Sequence, residues 1–224
     1  PSGAIGWIVS EEAFMQPLRK VISKLKLRAS YGQVGNANLG GRRFAYLSTI
    51  TDDYETLNMY KWGLDSSYGL TGMAEGEFAV QDLTWEIVNK MNLGVELGFL
   101  NGMIDLQLDY FDERRKDIFM PRESVPMTAG FMKQPWKNFG KVTNQGVEVS
   151  LNVNKQFGKD LFVSLMGTFT YAHNEITEKD EPSAVVGTNR AETGHPVGQL
   201  TGYIAEGLFT ADDFEDVSTG KLKE

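Results

Sequence analysis

Two stretches of strict apolar–polar alternation, joined by a tight turn, constrain this chain more than any other feature. In MNLGVELGFLNGMIDLQLDYF (91–111), Met91, Leu93, Val95, Leu97 and Phe99 alternate with Asn92, Gly94, Glu96 and Gly98. After Asn101-Gly102 the pattern resumes, with Ile104, Leu106, Leu108 and Tyr110 set against Asp105, Gln107 and Asp109. A period of two belongs to strands, whose successive side chains point to opposite faces. Asn-Gly supplies the positive φ angles of a type I′ turn. The pattern predicts a hairpin over about 85–116 with one greasy and one hydrophilic face.

Similar segments recur. Gly3, Ile5, Trp7 and Val9 predict a first strand near 2–10, and LKLRASYGQVG a second at 25–35. Between them, SEEAFMQPLRKVISK (10–24) has acids first and bases last, as a short helix does, confined by Pro17. Further strands are predicted at 140–156 and 160–174, joined by the short QFGKD, and a last one near 196–209. Residues 36–84 lack a clean period and read as a long loop with room for a small hairpin. The segment 117–139 holds three prolines and cannot be a central strand. A third polar loop runs from 175 to 195, and the tail TADDFEDVSTGKLKE is polar.

The connections are sorted by length. With successive strands labelled down and up, short turns at 100–102 and 157–159 fall at one rim, and the long loops 36–84, 117–139 and 175–195 at the other; only 11–24 is intermediate, and it falls on the short-turn side. Outer-membrane barrels have this asymmetry, and a soluble sandwich has no reason for it. The segments Met103 to Lys116 and Gly140 to Gln156 exceed ordinary strands and suit tilted bilayer-crossing ones. Phe99, Tyr110, Phe111, Phe157 and Tyr171 stand at strand ends, as an interfacial girdle requires. Alternation by itself leaves two architectures: a membrane wall with its apolar face to lipid, or a soluble β-sandwich or barrel that binds carbohydrate.

Composition narrows the function classes. A net charge of −8 provides no basic surplus for nucleic acid. With no cysteine, disulfide scaffolds, cysteine-ligated zinc and thiol nucleophiles are excluded. No apolar run is long enough for a membrane-crossing helix, which leaves barrels open. The chain opens on PSGAIGWIV without Met and closes on KLKE, and is expected to be an internal piece of something longer.

The blocks SEEAF…ISKLKLRASYGQVGN, TWEIVNKMNLGVELGFLNGMIDLQLDYFDERRKDIF, NFGKVTNQGVEVSLNVN, FTYAHNEI and GHPVGQLTGYIAEGLF, in this order, resemble the C-terminal barrel region of SusC/RagA-type TonB-dependent outer-membrane receptors of the Bacteroidota. The resemblance implies an all-β antiparallel meander forming part of a large transmembrane barrel, with residues 1–216 giving about seven strands and 217–224 an unassigned tail. It implies a plug domain outside this chain, import of glycans or oligopeptides beneath a SusD-like surface lipoprotein, and energy from TonB–ExbB–ExbD. No cofactor is implied.

Candidate residues follow from the two faces. Lys26, Arg28, Asn92, Glu96, Asp105, Gln107, Asp109, Glu148 and Asn152 are expected to line a wet lumen. Leu93, Val95, Leu97, Leu106, Leu108, Val147, Val149, Leu151, Val163 and Leu165 are expected to face lipid. Glu96, Asp105 and Asp109 as a hydrolytic carboxylate pair is the weaker reading, since nothing nearby raises a carboxyl pKa. Lys26 and Arg28 are expected to pair with Asp105 or Glu96. Tyr54, Tyr60, Trp62, Tyr68 and Trp136 are the candidates for stacking on sugar rings, against the plainer reading that they pack loops or meet the lid. His173-x-Glu175 with His195 is too sparse for zinc. STGK (218–221) and GQVGNANLGG lack the strand-to-helix setting of phosphate or dinucleotide loops. DDFED (212–216) reads as a solvated loop rather than a calcium site.

Overall fold

The alternating segments assemble into a single sheet. The structure, a computed structural model, describes residues 1–51, 60–62, 68–70, 73–131, 133–205, 207–216 and 218–223. Six strands lie side by side in chain order, all antiparallel: β1 (Ser2–Ile8), β2 (Ile22–Asn36), β3 (Glu86–Phe99), β4 (Ile104–Pro121), β5 (Trp136–Phe157) and β6 (Leu161–Glu178). β4, β5 and β6 run for 18, 22 and 18 residues. At about 3.3 Å per residue, each exceeds what a tilted strand needs to cross a bilayer. The connections 9–21, 100–103 and 158–160 share one end of the sheet, and 37–85 and 122–135 the other; the tightest turns lie at the first end and by far the longest loop at the second, while 9–21 is nearly as long as 122–135. β1 and β6 are the sheet's outer strands, so this stretch does not close a barrel.

Register keeps the faces separate across the whole width. Trp7, Leu27, Val95, Leu108, Val149 and Phe169 form one continuous row. Ile5, Ala29, Leu93, Tyr110, Val147 and Tyr171 form the next row on that face. On the other face, Lys26, Glu96, Gln107, Ser150 and Thr168 align, as do Arg28, Gly94, Asp109, Glu148 and Thr170.

Nothing among the described residues covers the apolar face: Leu93 is 46% and Leu165 62% exposed. The chain exposes 16973 Å², against roughly 10,000 Å² for a soluble chain of this mass. Among the described residues, the buried apolar ones are Val9, Met15, Ala45, Val80, Val88 and Ile176, too few for a sandwich core.

The elements depart from expectation in four places. The helix foreseen at 10–24 is two 3₁₀ stretches, Val9–Glu11 and Ala13–Leu18. Pro17 sits inside the second and lacks the N–H a helix would use. Arg19 closes this corner by donating to the Ser10 carbonyl at 2.8 Å and pairing with Glu11 at 2.8 Å.

The β3–β4 turn centres on Leu100-Asn101, one residue earlier than expected. Both have positive φ (51° and 58°), and Gly102 N–H donates to the Phe99 carbonyl at 3.1 Å. The loop foreseen at 117–139 shrinks to 122–135, because β4 continues to Pro121 through a bulge after Arg115. Asp117 turns the chain there at φ 59°, its carbonyl held by Asn138 Nδ2 at 2.8 Å.

The fourth departure is the strand foreseen at 196–209, whose described residues form no ladder. A type II turn ends in Gly194 (φ 86°), and Gly194 and His195 bracket Ile176 through bonds of 2.8 and 2.9 Å. Beyond this contact the chain leaves β6, and Leu200, Ile204 and Leu208 stand almost wholly exposed. A strand needs a neighbour along its whole length, and here only the first residues meet one.

The 36–84 loop carries two small ladders, Ile50–Thr51 with Ala74–Glu75 and Tyr60–Trp62 with Tyr68–Leu70.

Candidate functional site: the charged face of the sheet

The polar face concentrates its charge on β2, β3 and β4, where period-two alternation places Lys24, Lys26 and Arg28 beside Glu96 and Asp109. Glu96 accepts from Lys24 at 2.7 Å and Lys26 at 3.4 Å, with Arg28 Nε at 3.7 Å. Arg28 Nη2 lies 2.6 Å from both Asp109 oxygens, and Gln107 Nε2 donates to the same carboxylate at 2.9 Å. Asp109 is buried although it stands on a hydrophilic face, because Arg28 lies across it.

That contact skips a strand. Arg28 is on β2 and Asp109 on β4, and the β3 residue between them is Gly94. A Cβ at Gly94 would lie 2.6 Å from Asp109 Oδ1 and 2.7 Å from Arg28 Cγ. The guanidinium therefore reaches Asp109 only over a residue without a side chain.

The sheet brings Lys26, Arg28, Glu96, Gln107 and Asp109 into one network, and adds Lys24. Asp105 is not its acidic partner: it pairs in register with Gly98 and Asn152, one row nearer the short turns. Asn92 lies the other way, beside Ser30 and Phe111, and Glu148 is exposed at the β5 end of the Arg28 row. Lys24 was legible, standing two residues before Lys26; the role of Gly94 was not, because it follows from register across three strands. Fully paired carboxylates of this kind offer no general acid or base. The arrangement suits a wall that holds its shape against water.

Of the aromatic candidates, Tyr54 lies outside the described residues, and Tyr60, Trp62 and Tyr68 belong to the small ladder between 60 and 70. Trp136 is engaged within the protein: Arg42 sits 4.2 Å from its ring centroid and Phe119 packs at 5.1 Å. Arg42 also pairs with Glu77 at 3.1 Å, and Phe78 meets Phe131 edge-on at 4.6 Å. Together these contacts join the 36–84 loop to the β4–β5 loop. His173 and Glu175 register with Gln145 and Thr143 on the side that carries the apolar rows. Among the described residues, no group of three His, Asp or Glu side chains is placed to hold a metal. In the DDFED tail, Asp213 and Asp216 accept from Thr210 and Ser218.

At the long-loop end, Asp180 joins two loops. It accepts from Arg122 Nε at 2.9 Å, Ser124 N–H at 3.1 Å and Ser124 Oγ at 2.8 Å. Burial opposes its ionisation, yet the hydrogen bonds from Arg122 and Ser124 outweigh it and hold the carboxyl below its ordinary value.

A long-stranded antiparallel meander with one bare apolar face, one charged face and loops sorted by end defines a piece of transmembrane β-barrel wall. Residues 1–213 match the family model described as "TonB dependent receptor-like, beta-barrel". The chain is 34% identical to TonB-dependent receptor SusC of Bacteroides thetaiotaomicron, over 80% of its own length and 17% of that protein's. It is 29% identical to a TonB-dependent receptor of Formosa agariphila, over 95% of this chain and 19% of that protein. Its fold superposes on a chain of the RagAB peptide importer in the 'open-open' state with a TM-score of 0.63 and 24% identity, covering 84% of this chain and 18% of the other. This chain belongs to the TonB-dependent receptor family, outer-membrane transport proteins rather than enzymes. It spans less than a fifth of the length of these curated relatives.

Proposed function

We propose that this chain is a stretch of wall and loops in an outer-membrane importer of glycans or oligopeptides, working with a SusD-like surface lipoprotein and energised through TonB–ExbB–ExbD. The apolar rows through Leu93, Val95, Leu97, Leu106, Leu108, Val147, Val149, Leu151, Val163 and Leu165 face lipid. The polar face, with Lys26, Arg28, Asn92, Glu96, Asp105, Gln107, Asp109, Glu148 and Asn152, faces a water-filled lumen. The loops and the lumen hold the substrate, and no covalent chemistry occurs.

One observation carries this reading: the uncovered apolar face has the height of a bilayer. Along β6, from Leu161 through Val163, Leu165 and Phe169 to Tyr171, this face carries no charge; the strand advances about 33 Å there, which at a tilt near 45° spans roughly 23 Å of membrane normal, close to the apolar band of known barrels. Above Tyr171 and its partner Val147 the same face turns polar, with His173 and Glu175 paired to Gln145 and Thr143. A trough of about 610 Å³ on this face, lined by Ile5, Trp7, Leu27, Leu93, Leu108 and Tyr110, suits acyl chains.

The test uses the absence of cysteine in this stretch. Single replacements Leu108→Cys and Gln107→Cys in the full-length receptor are treated with a water-soluble maleimide. Labelling at 107 and protection at 108 is the expected result. The reverse order would overturn the assignment of the faces.

A further inference from the structure

We infer that the outward face of the wall holds one particular lipid at its long-loop end: a glycolipid with a phosphorylated head group and several acyl chains. This rests on the reading that the apolar rows face lipid. Long loops mark the extracellular end of such a wall, so the lipid belongs to the outer leaflet. Two confluent troughs receive the chains. One, of about 610 Å³, is lined by Ile5, Trp7, Leu27, Leu93, Leu108 and Tyr110. The other, of about 420 Å³, runs from Ile5 and Leu93 up to Tyr31 and Met91. They meet at Ala29, the smallest side chain in its row, which stands between Ile5 and Leu93 and leaves the surface hollow.

Cations stand just above the troughs. Met91 registers with Asp112, and Arg114 and Lys116 follow on the same face of β4, each about 6.6 Å further along the strand. The Arg114 side chain is 71% exposed and engages Asp112 through Nε alone, at 3.0 Å. Its two terminal nitrogens have no partner among the described residues. Lys116 is exposed and meets no acid among the described residues. Lys141, on β5, pairs with Glu178, and Glu175, beyond Thr143 from Arg114, bounds the patch. A guanidinium fork and an ammonium two residues apart fit the oxygens of one phosphate. Trp85 fixes the height independently. A Cβ at Gly35 would lie 2.6 Å from its Cε3, so the ring covers Gly35 in the row that continues through Ile87 to Lys116. Trp85 is 64% exposed, and exposed tryptophans belong at head-group level. In the Arg114 row, Gln33 donates to Asn89 at 3.1 Å. These uncharged amides beside the cations suit sugar hydroxyls.

The experiment is native mass spectrometry of the full-length receptor, stripped of lipid in detergent and offered three probes: lipid A, lipid A enzymatically freed of phosphate, and phosphatidylglycerol. The expected result is at least tenfold tighter binding of lipid A than of either other probe. The double variant Arg114→Gln, Lys116→Gln should lower lipid A to the level of its dephosphorylated form. Ala29→Trp, which fills the troughs without changing charge, should weaken lipid A at least fivefold. Lys155→Gln, on the same face but at the short-turn end, should change nothing. Equal binding of the three probes, phosphatidylglycerol bound as tightly as lipid A, a preference that survives the double variant, or an equal loss from Lys155→Gln would overturn the site. The comparison of probes on the parent receptor needs no variant to fold. Maleimide treatment of Leu108→Cys separates the two readings. A protected 108 with no preference for lipid A removes only the lipid site, whereas a labelled 108 removes the assignment of the faces as well.

Discussion

Arg28 and Asp109 sit on strands that are not neighbours, yet both carboxylate oxygens lie 2.6 Å from one guanidinium nitrogen. The strand between them supplies Gly94, and the contact exists because that residue has no side chain. Gly94→Val is expected to push Arg28 aside and leave the buried Asp109 without its cation, at a loss of about 2–3 kcal/mol. Gly167→Val is the matched control, since nothing approaches Gly167 within 4 Å. Urea unfolding of the receptor refolded into lipid vesicles provides the comparison. Equal losses for the two variants would show that Gly94 is not kept for Arg28.

The two faces make opposite demands on a new charge. Leu108→Arg puts a cation among acyl chains and should cost about 2–4 kcal/mol, as it does near the midplane of known barrels. Gln107→Arg, one residue away and exposed on the ionic face, gives up its amide bond to Asp109 but sets a guanidinium beside that carboxylate, and should stay within about 1 kcal/mol of the parent. The same unfolding measurement reads both, and a larger cost at 107 than at 108 would invert the wall.

Asp180 links loop stability to acid. Its carboxyl is held below the ordinary value in the folded state, so its contribution is complete above the unfolded value, near 4, and fades as pH falls through the lower native one. The tie to Arg122 and Ser124 should therefore persist at neutral pH. Asp180→Asn is expected to loosen the 122–135 loop at pH 7, seen as faster cleavage there by an added protease. An unchanged cleavage rate would mean that other contacts, such as Phe78 with Phe131, hold the loop alone.

Leu100 occupies a left-handed conformation at φ 51°, which costs a residue with a Cβ about 1–2 kcal/mol. Leu100→Gly should relieve that cost and raise stability by about 1 kcal/mol. A drop in the unfolding midpoint would indicate that the Leu100 side chain contributes more by packing than its backbone loses.

Much of the wall was legible from residues alone. The alternation at 91–111 and 147–153 sorts side chains by face without reference to any partner, because the period of a strand is a property of its own backbone. The tight turns and the longest loop separated the two ends, although 9–21 and 122–135 are nearly equal in length. The turn slipped by one residue because Asn-Gly marks where positive φ is cheap, while the pairing of Phe99 with Ile104 decides where the chain reverses. The segment 196–209 read as a strand because it alternates, but alternation is a capacity to pair.

Face and period were thus determined locally, by the spacing of apolar residues along each segment. The tertiary structure decided which residues meet: that Arg28 answers Asp109 rather than Asp105, that Gly94 must be bare, and that Trp136 is already taken by Arg42 and Phe119. Each of these depends on register between strands far apart in the chain. A shift of one residue in that register would exchange the two faces, and local propensity has no means of setting it.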